Sequence, residues 1–219
     1  MKEYQKIETP FVRDMDGSKK LILGQFRNPI VEYLKNCQWI CTEKVDGTNI
    51  RVHWDGHNLR FYGRTDAASI PSFLLAKLYD IFDNNETEQV MEQMFADREV
   101  ILVGEGYGNK IQKCGSNYIQ NDVNFIGIDV MIKTKDGDRF VYLDRRDAED
   151  VFKALGIKMV PIVGTMTLND AVCTVMSKPY SLISEVKQVM EGVVCVPDVP
   201  VYDKSGHRIV VKIKVKDFE

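Results

Sequence analysis

Lys44 follows the run Trp39-Ile40-Cys41-Thr42-Glu43 and precedes Val45-Asp46-Gly47-Thr48-Asn49. A lysine set between a strand-forming run, a carboxylate and a glycine turn has two readings. It can be a solvated side chain on an exposed turn, or an amine held ready as a nucleophile. The second requires the ammonium to shed its proton near neutral pH, which desolvation or neighbouring positive charge favours. A source of such charge stands near the other end of the chain, where Ile209-Val210-Val211-Lys212-Ile213-Lys214-Val215-Lys216 alternates strictly. As a strand this segment puts Lys212, Lys214 and Lys216 on one face, successive members about 7 Å apart, and Val211, Ile213 and Val215 on the other. Such a row can simply guard a sheet edge against aggregation. Yet the segment from Lys204 to Lys216 carries five Lys or Arg and no carboxylate in a chain of net charge −3, and that strip suits phosphates.

Two carboxylates sit beside glycines at strand positions, in Gly104-Glu105-Gly106-Tyr107-Gly108 and in Glu191-Gly192-Val193-Val194. Each glycine lets another group approach the backbone closely. The first run is not a dinucleotide fingerprint, because a β texture rather than a helix follows it.

The elements that must carry these residues are legible as patterns. Asn49–Trp54 alternates Ile50, Val52 and Trp54 against Asn49, Arg51 and His53, which predicts a half-buried strand. Asp55-Gly56 turns it into a second strand over Leu59–Arg64. Helical spacing runs over Ile70–Phe82, started by Ser69 and Pro71, and again over Val90–Phe95 after Asn84-Asn85. Strands are predicted at Val100–Val103, Asn124–Ile132, Arg139–Leu143, Lys158–Val163, Val193–Val196 and Ile209–Lys216. Further helices are predicted at Asn28–Asn36, at Asp144–Leu155 and after Thr167. Tight hairpins with irregularly interposed helices predict an α+β fold of mainly antiparallel sheets.

The 219 residues are 44% hydrophobic and 28% charged, enough apolar material for a core without covalent staples. No apolar run is long enough to span a membrane and no signal core opens the chain, so a cytoplasmic protein is expected. The five cysteines, Cys37, Cys41, Cys114, Cys173 and Cys195, show no C-x-x-C spacing and are expected to be reduced core residues rather than disulfide or zinc ligands. His53, His57 and His207 make no metal-ligand spacing, and His57 reads as part of a turn.

Taken in order, Lys44-x-Asp46-Gly47-x-Asn49, Gly104-Glu105-Gly106, Phe125 with Asp129, Glu191-Gly192 and Lys212-x-Lys214 resemble the covalent nucleotidyltransferases: ATP-dependent RNA and DNA ligases and messenger-RNA capping enzymes. The resemblance runs from about Trp39 to Phe218. Asn49 stands where DNA ligases and capping enzymes usually carry arginine. With the Lys-Ile-Lys ending, it makes the chain look most like the phage-type RNA ligase 2 branch.

The resemblance implies a nucleotidyltransferase (ligase adenylation) fold and an ATP-dependent RNA ligase. Lys44 would attack the α-phosphate of ATP and keep AMP, which passes to an RNA 5′-phosphate before a 3′-hydroxyl displaces it. Lys212 and Lys214 would hold the α-phosphate. Glu191 would bind Mg²⁺ (or Mn²⁺) or orient the lysine, Glu105 would contact the ribose, and Phe125 would stack on adenine. Glu43, Asn49 and Arg64 would lie near the nucleotide or the RNA end, and Gln112 and Lys113 resemble a branch feature. Residues 1–219 are expected to form one nucleotidyltransferase domain, with no C-terminal oligonucleotide-binding domain, acting on RNA with 5′-phosphate and 3′-hydroxyl ends and on no membrane. Two other readings stand beside it. A minimal DNA ligase is opposed by Asn49, and a non-catalytic module binding nucleotides or RNA ends is opposed by the presence of every residue type the chemistry needs.

Overall fold

A computed structural model describes residues 2–137 and 139–219. In chain order the elements are β1 (Phe11–Arg13), β2 (Leu21–Phe26), α1 (Pro29–Tyr33), β3 (Trp39–Glu43), β4 (Thr48–Trp54), β5 (Leu59–Tyr62), α2 (Ser72–Phe82), α3 (Asn85–Phe95), β6 (Val100–Gly108), α4 (Gly115–Tyr118), β7 (Val123–Lys133), β8 (Phe140–Tyr142), α5 (Arg145–Ala154), β9 (Ile162–Met166), α6 (Leu168–Met176), β10 (Gly192–Pro197) and β11 (Val211–Lys214). Every pairing between these strands is antiparallel, and helices flank the sheets, as the pattern predicts. The chain divides into two compact units, one of residues 46–160 with the first four, the other of residues 5–45 and 161–219. No helix among the described residues is long and apolar enough to cross a membrane.

The first unit is built on a five-stranded sheet in the order β5-β4-β6-β7-β8. Ile50, Val52 and Trp54 of β4 join Leu74, Leu78 and Phe82 of α2, Met91 and Phe95 of α3 and Phe152 of α5 in one apolar core. α3 and α5 start where side chains can satisfy the free amides of a first turn. Asn84 accepts from Thr87 N and Asp144 from Asp147 N.

β4 is not half-buried as expected. Its other face is also covered, because Arg51 is 0% exposed and His53 nearly so. Arg51 donates from Nε to Gly63 O, from Nη1 to Lys2 O and from Nη2 to Asp66, all at 2.8 Å. Each nitrogen of the fork thus has one acceptor, which makes a buried guanidinium tolerable. Arg51→Ala is therefore expected to destabilise the fold by about 3 kcal/mol or more, since it leaves the carbonyl of buried Gly63 unpaired beside a cavity. Chemical denaturation measures this, and a change below about 1 kcal/mol would refute it.

The second unit carries a four-stranded sheet, β11-β10-β3-β9, and the small β1-β2 ribbon. Trp39 and Cys41 of β3, Val193 and Cys195 of β10, Val211 and Ile213 of β11 and Leu168, Ala171 and Val175 of α6 form its core. Thr167 caps α6 by accepting from Asp170 N, as the box predicts.

Three strand readings are corrected. The stretch Lys158–Val163 is two things: Met159 bridges to Gly127 in the first unit, and β9 begins only at Ile162 in the second. Pro161 between them lacks the N–H a continuous ladder needs. Ile209–Lys216 contributes only Val211–Lys214 as strand, because Val215–Asp217 turns into a 3₁₀ segment and takes Lys216 off the lysine face into solvent. Val100–Val103 is instead the first half of a nine-residue strand that includes the whole Gly-Glu-Gly run. The cysteine expectation holds only in part. Cys41 and Cys195 are buried and all five are free thiols, but Cys37, Cys114 and Cys173 are exposed.

Candidate active site

In the second unit, β3 and β10 pair so that Glu43 faces Val193 and the Lys44 amide donates to Gly192 O at 2.9 Å. β10 pairs on its other side with β11, setting Gly192 opposite Lys214 and Val194 opposite Lys212. Three strands thus bring residues far apart in sequence to one end of one sheet. Lys44 Nζ donates to Glu191 Oε2 at 2.6 Å, and Lys214 Nζ donates to Glu191 Oε1. Glu191 is mostly buried between them. Gly192 makes the approach sterically feasible: a Cβ there would lie 2.0 Å from Ile213 O and 2.7 Å from Lys214 Cα.

The electrostatics follow from this geometry. Burial pushes the Glu191 carboxyl up, the two ammoniums push it down, and the net effect is a lowered pKa. Two ammoniums on one carboxylate leave one positive charge over, which suits a phosphate group. The lysine expected to act as an amine is thus held in an ion pair, with one cationic neighbour on the same carboxylate. Lys212 lies on the same face of β11 as Lys214, and its charge helps to lower the pKa of Glu8, behind Lys6 and Arg27.

Glu43 is placed differently from expectation. Strand alternation turns it to the face of Trp39 and Cys41, away from Lys44, where it is 1% exposed. Its oxygens accept from Ser181 Oγ at 2.5 Å and Leu182 N at 2.8 Å. It is a buried anchor for a loop rather than a side chain presented to a nucleotide.

The first unit holds the remaining candidates. The Lys-x-Asp-Gly-x-Asn motif is divided by the unit boundary, since the chain passes from one to the other between Val45 and Asp46. Asn49 and Glu105 are cross-strand neighbours on β4 and β6. Asn49 Nδ2 donates to Gly104 O at 3.2 Å, while its Oδ1 is buried with no hydrogen-bond partner. Gly47 packs on β6 so closely that a Cβ would lie 2.4 Å from Gly106 O and 2.7 Å from Glu105 Cγ. Arg64 lies two residues past the end of β5, exposed, at the end of the sheet where Asn49 and Glu105 stand.

Phe125 is corrected. It is 4% exposed, edge-on to Phe82 at 5.3 Å and beside Phe152 at 6.4 Å. Its ring fills the space left by the missing side chain of Gly104, so it is a core residue with no face open to a base. Two residues that hold the motif turn complete the first unit's part. Tyr118 Oη accepts from Asp46 N at 3.2 Å, and Gln112 Nε2 donates to Gly47 O at 2.9 Å. Gln112 was marked by its resemblance; Tyr118 and Ser181 carry no sequence signal that separates them from other buried or loop residues. Lys113 is exposed on the loop that Gln112 anchors.

Among the described residues no three His, Cys, Asp or Glu side chains cluster as a metal cage. In the lysine cluster Glu191 could lend a carboxylate to a divalent cation, and a single carboxylate with phosphate oxygens and water is a donor set that suits Mg²⁺ or Mn²⁺.

Solved structures with the same fold include Naegleria gruberi RNA ligase. A K326A mutant with ATP and Mn matches with TM-score 0.62 at 19% identity, over 99% of this chain and 62% of the other. The form with PPi matches with TM-score 0.61 at 20% identity, over 100% of this chain and 63% of the other. This chain therefore spans less than two thirds of the length of those ligases. No curated protein is similar enough in sequence to match it. The RNA ligase family profile matches residues 37–214, which includes Lys44, Glu105, Glu191 and Lys214, and the chain belongs to the RNA ligase family.

Proposed function

We propose that this chain is an ATP-dependent RNA ligase of the phage-type RNA ligase 2-like branch, which carries AMP on Lys44 on its way from ATP to an RNA 5′-phosphate. The observation that carries the reading is the convergence of Lys44 and Lys214 on Glu191 at the ends of three paired strands. Membership of the RNA ligase family supports the substrate class, and the Naegleria structures with ATP and Mn support nucleotide and metal.

In the first step the Lys44 amine attacks the α-phosphorus. A P–N bond forms, the P–O bond to the leaving group breaks, and pyrophosphate departs with that electron pair. The phosphate of the lysyl-AMP is next attacked by the RNA 5′-phosphate, which frees the amine. A 3′-hydroxyl then attacks the activated 5′-phosphate and AMP leaves. Nucleotidyl transfer of this kind depends on placing groups in line and neutralising charge. Lys214 supplies a fixed positive charge and Glu191 aims the amine. The lowered pKa of Glu191 makes it a poor base, so its part is orientation more than proton uptake. Glu191 would be the residue to hold a divalent cation, whose chemistry there would be to neutralise phosphate charge. In the first unit, taken by itself, Asn49, Glu105 and Arg64 stand at one sheet end and are polar candidates for a nucleotide or RNA contact.

The test is intact-mass spectrometry. ATP with Mg²⁺ or Mn²⁺ should add the mass of one adenylate, localised to Lys44 by peptide mapping, and pyrophosphate should remove it. A chase with 5′-phosphorylated RNA should transfer the adenylate to the RNA. Failure to gain the mass, or a gain at another residue, would overturn the proposal. A chase that transfers AMP to DNA ends alone would make the chain a DNA ligase.

A further inference from the structure

We infer that Glu43 is a positioning residue, clamping the 181–184 loop so that the short segment running from it to Glu191 holds the carboxylate against Lys44. The inference rests on the lysyl-AMP reading above.

Trp39, Cys41 and Glu43 occupy successive core-facing positions of β3. The first two are apolar, as the core requires, and the third is a carboxylate. Burial raises its pKa, and Ser181 and Leu182 only partly offset that effect. An ionisable group with this cost is placed where its hydrogen bonds matter. One oxygen takes the Ser181 hydroxyl and the other the Leu182 amide. Ser181 Oγ in turn accepts from Ile183 N at 3.3 Å and Ser184 N at 3.2 Å, so the same contact shapes the loop. The loop closes on itself: Ser181 N donates to Gln188 O, Met190 N donates to Pro179 O, and Tyr180 bridges Val189. Glu191 is the next residue. The covalent neighbour of the clamp at one end is Lys44, and the loop it clamps ends on the carboxylate that Lys44 meets at 2.6 Å. The ring from Glu43 through the loop to Glu191, across to Lys44 and back is closed without leaving the second unit.

The experiment measures the rate of AMP transfer to Lys44 in Glu43→Ala, Glu43→Gln, Ser181→Ala and the Glu43→Ala/Ser181→Ala double variant, with amide hydrogen exchange on each. Loss of the clamp should cut the maximal rate of AMP transfer by about 30- to 100-fold in Glu43→Ala while the KM for ATP changes by less than about threefold, because misplacement rather than lost binding is at issue. Glu43→Gln keeps the length and an acceptor oxygen, so it should recover most of the rate. Ser181→Ala should be impaired by about five- to tenfold and add little in the double variant, since the two side chains act through one contact. Exchange should quicken at Leu182 in Glu43→Ala.

A raised KM for ATP at unchanged maximal rate would overturn the inference and make Glu43 a nucleotide contact. Additive losses in the double variant, or no recovery by Gln, would also overturn it. Should Glu43→Ala not fold, Ser181→Ala and Glu43→Gln decide by the same rate and exchange readouts. A wild-type chain that takes no AMP sinks the ligase reading itself. A wild-type chain that does take it, with Glu43 variants equally fast, sinks only the clamp.

Discussion

Lys44→Arg is expected to abolish AMP transfer from ATP to the protein, by at least about 10⁴-fold, with the fold intact. Arginine retains the positive charge and can still reach the Glu191 carboxylate, so the ion pair and its support for the sheet end persist. What it cannot do is give up a proton to become a nucleophile, because the guanidinium stays charged at any pH the fold survives. The substitution therefore separates charge from nucleophilicity. ATP binding, followed by nucleotide-dependent thermal stabilisation, should remain close to that of the wild type, and Tm without nucleotide should move by no more than about 3 °C. Radiolabel from α-phosphate-labelled ATP should be absent from the denatured variant. Wild-type labelling of Lys44→Arg would show that another residue carries AMP and would remove the basis of the mechanism.

The separation of charge from position also explains how much of this site was readable in advance. Lys44 and Glu191 stand one residue outside β3 and β10, and Lys214 ends β11. The Lys-x-Lys alternation and a glycine beside the carboxylate, which signals close approach, mark them in the sequence, and the three side chains meet. Alternation also put Lys212 beside Lys214 on one face. It failed for Lys216, because a strand's end depends on which hydrogen bonds are left: Val215 N donates to Glu191 O and the chain then tightens into a 3₁₀ turn. The same rule applied one residue before Lys44 would have turned Glu43 away from the site. Resemblance suggested a nucleotide contact there, and strand geometry contradicts that placement.

Elsewhere the pattern was silent because long-range partners decide burial. Arg51 and His53 read as the solvent side of a strand, yet Arg51 is enclosed by Gly63, Asp66 and the backbone of Lys2. No local periodicity reports that the N-terminal residues return to cover this face. Phe125 shows the opposite error. An aromatic in an apolar strand is ordinarily core, and the void above Gly104 gives its ring a place to sit. The helices that follow Asp144 and Thr167 are legible, since these residues mark their starts by capping chemistry that acts within four residues. By contrast, α3 begins at Asn85, five residues before the predicted Val90, and α4 is not predicted.

Glu191 should show its role in pH dependence as well as in rate. Its two oxygens each hold an ammonium, so Glu191→Ala leaves Lys44 and Lys214 facing each other without an anion. Two such charges about 5 Å apart repel by about 3 kcal/mol at an effective dielectric constant of about 20, enough to drive the side chains apart. AMP transfer is then expected to fall by about 10²- to 10³-fold, since the amine is no longer aimed. Glu191→Gln keeps the volume but sets an amide N–H against one ammonium, and should lose nearly as much. The carboxyl of Glu191 is held below its ordinary pKa in the folded protein, so the native state binds fewer protons there than the unfolded chain. Its contribution to stability is therefore present above the unfolded value of about 4.5 and lost as pH falls through the lower folded value. The stability difference between wild type and Glu191→Gln should accordingly shrink on acidification. Glu43 is shifted the other way by burial, so its contribution is present at low pH and declines as pH rises through its folded value. The difference between wild type and Glu43→Gln should then run with the opposite slope. Denaturation curves of the three proteins across the acidic range measure both slopes at once. A difference from Glu191→Gln that stays constant with pH would mean that the carboxylate and its two lysines are not paired in solution, and the account of how Lys44 is aimed would fail with it.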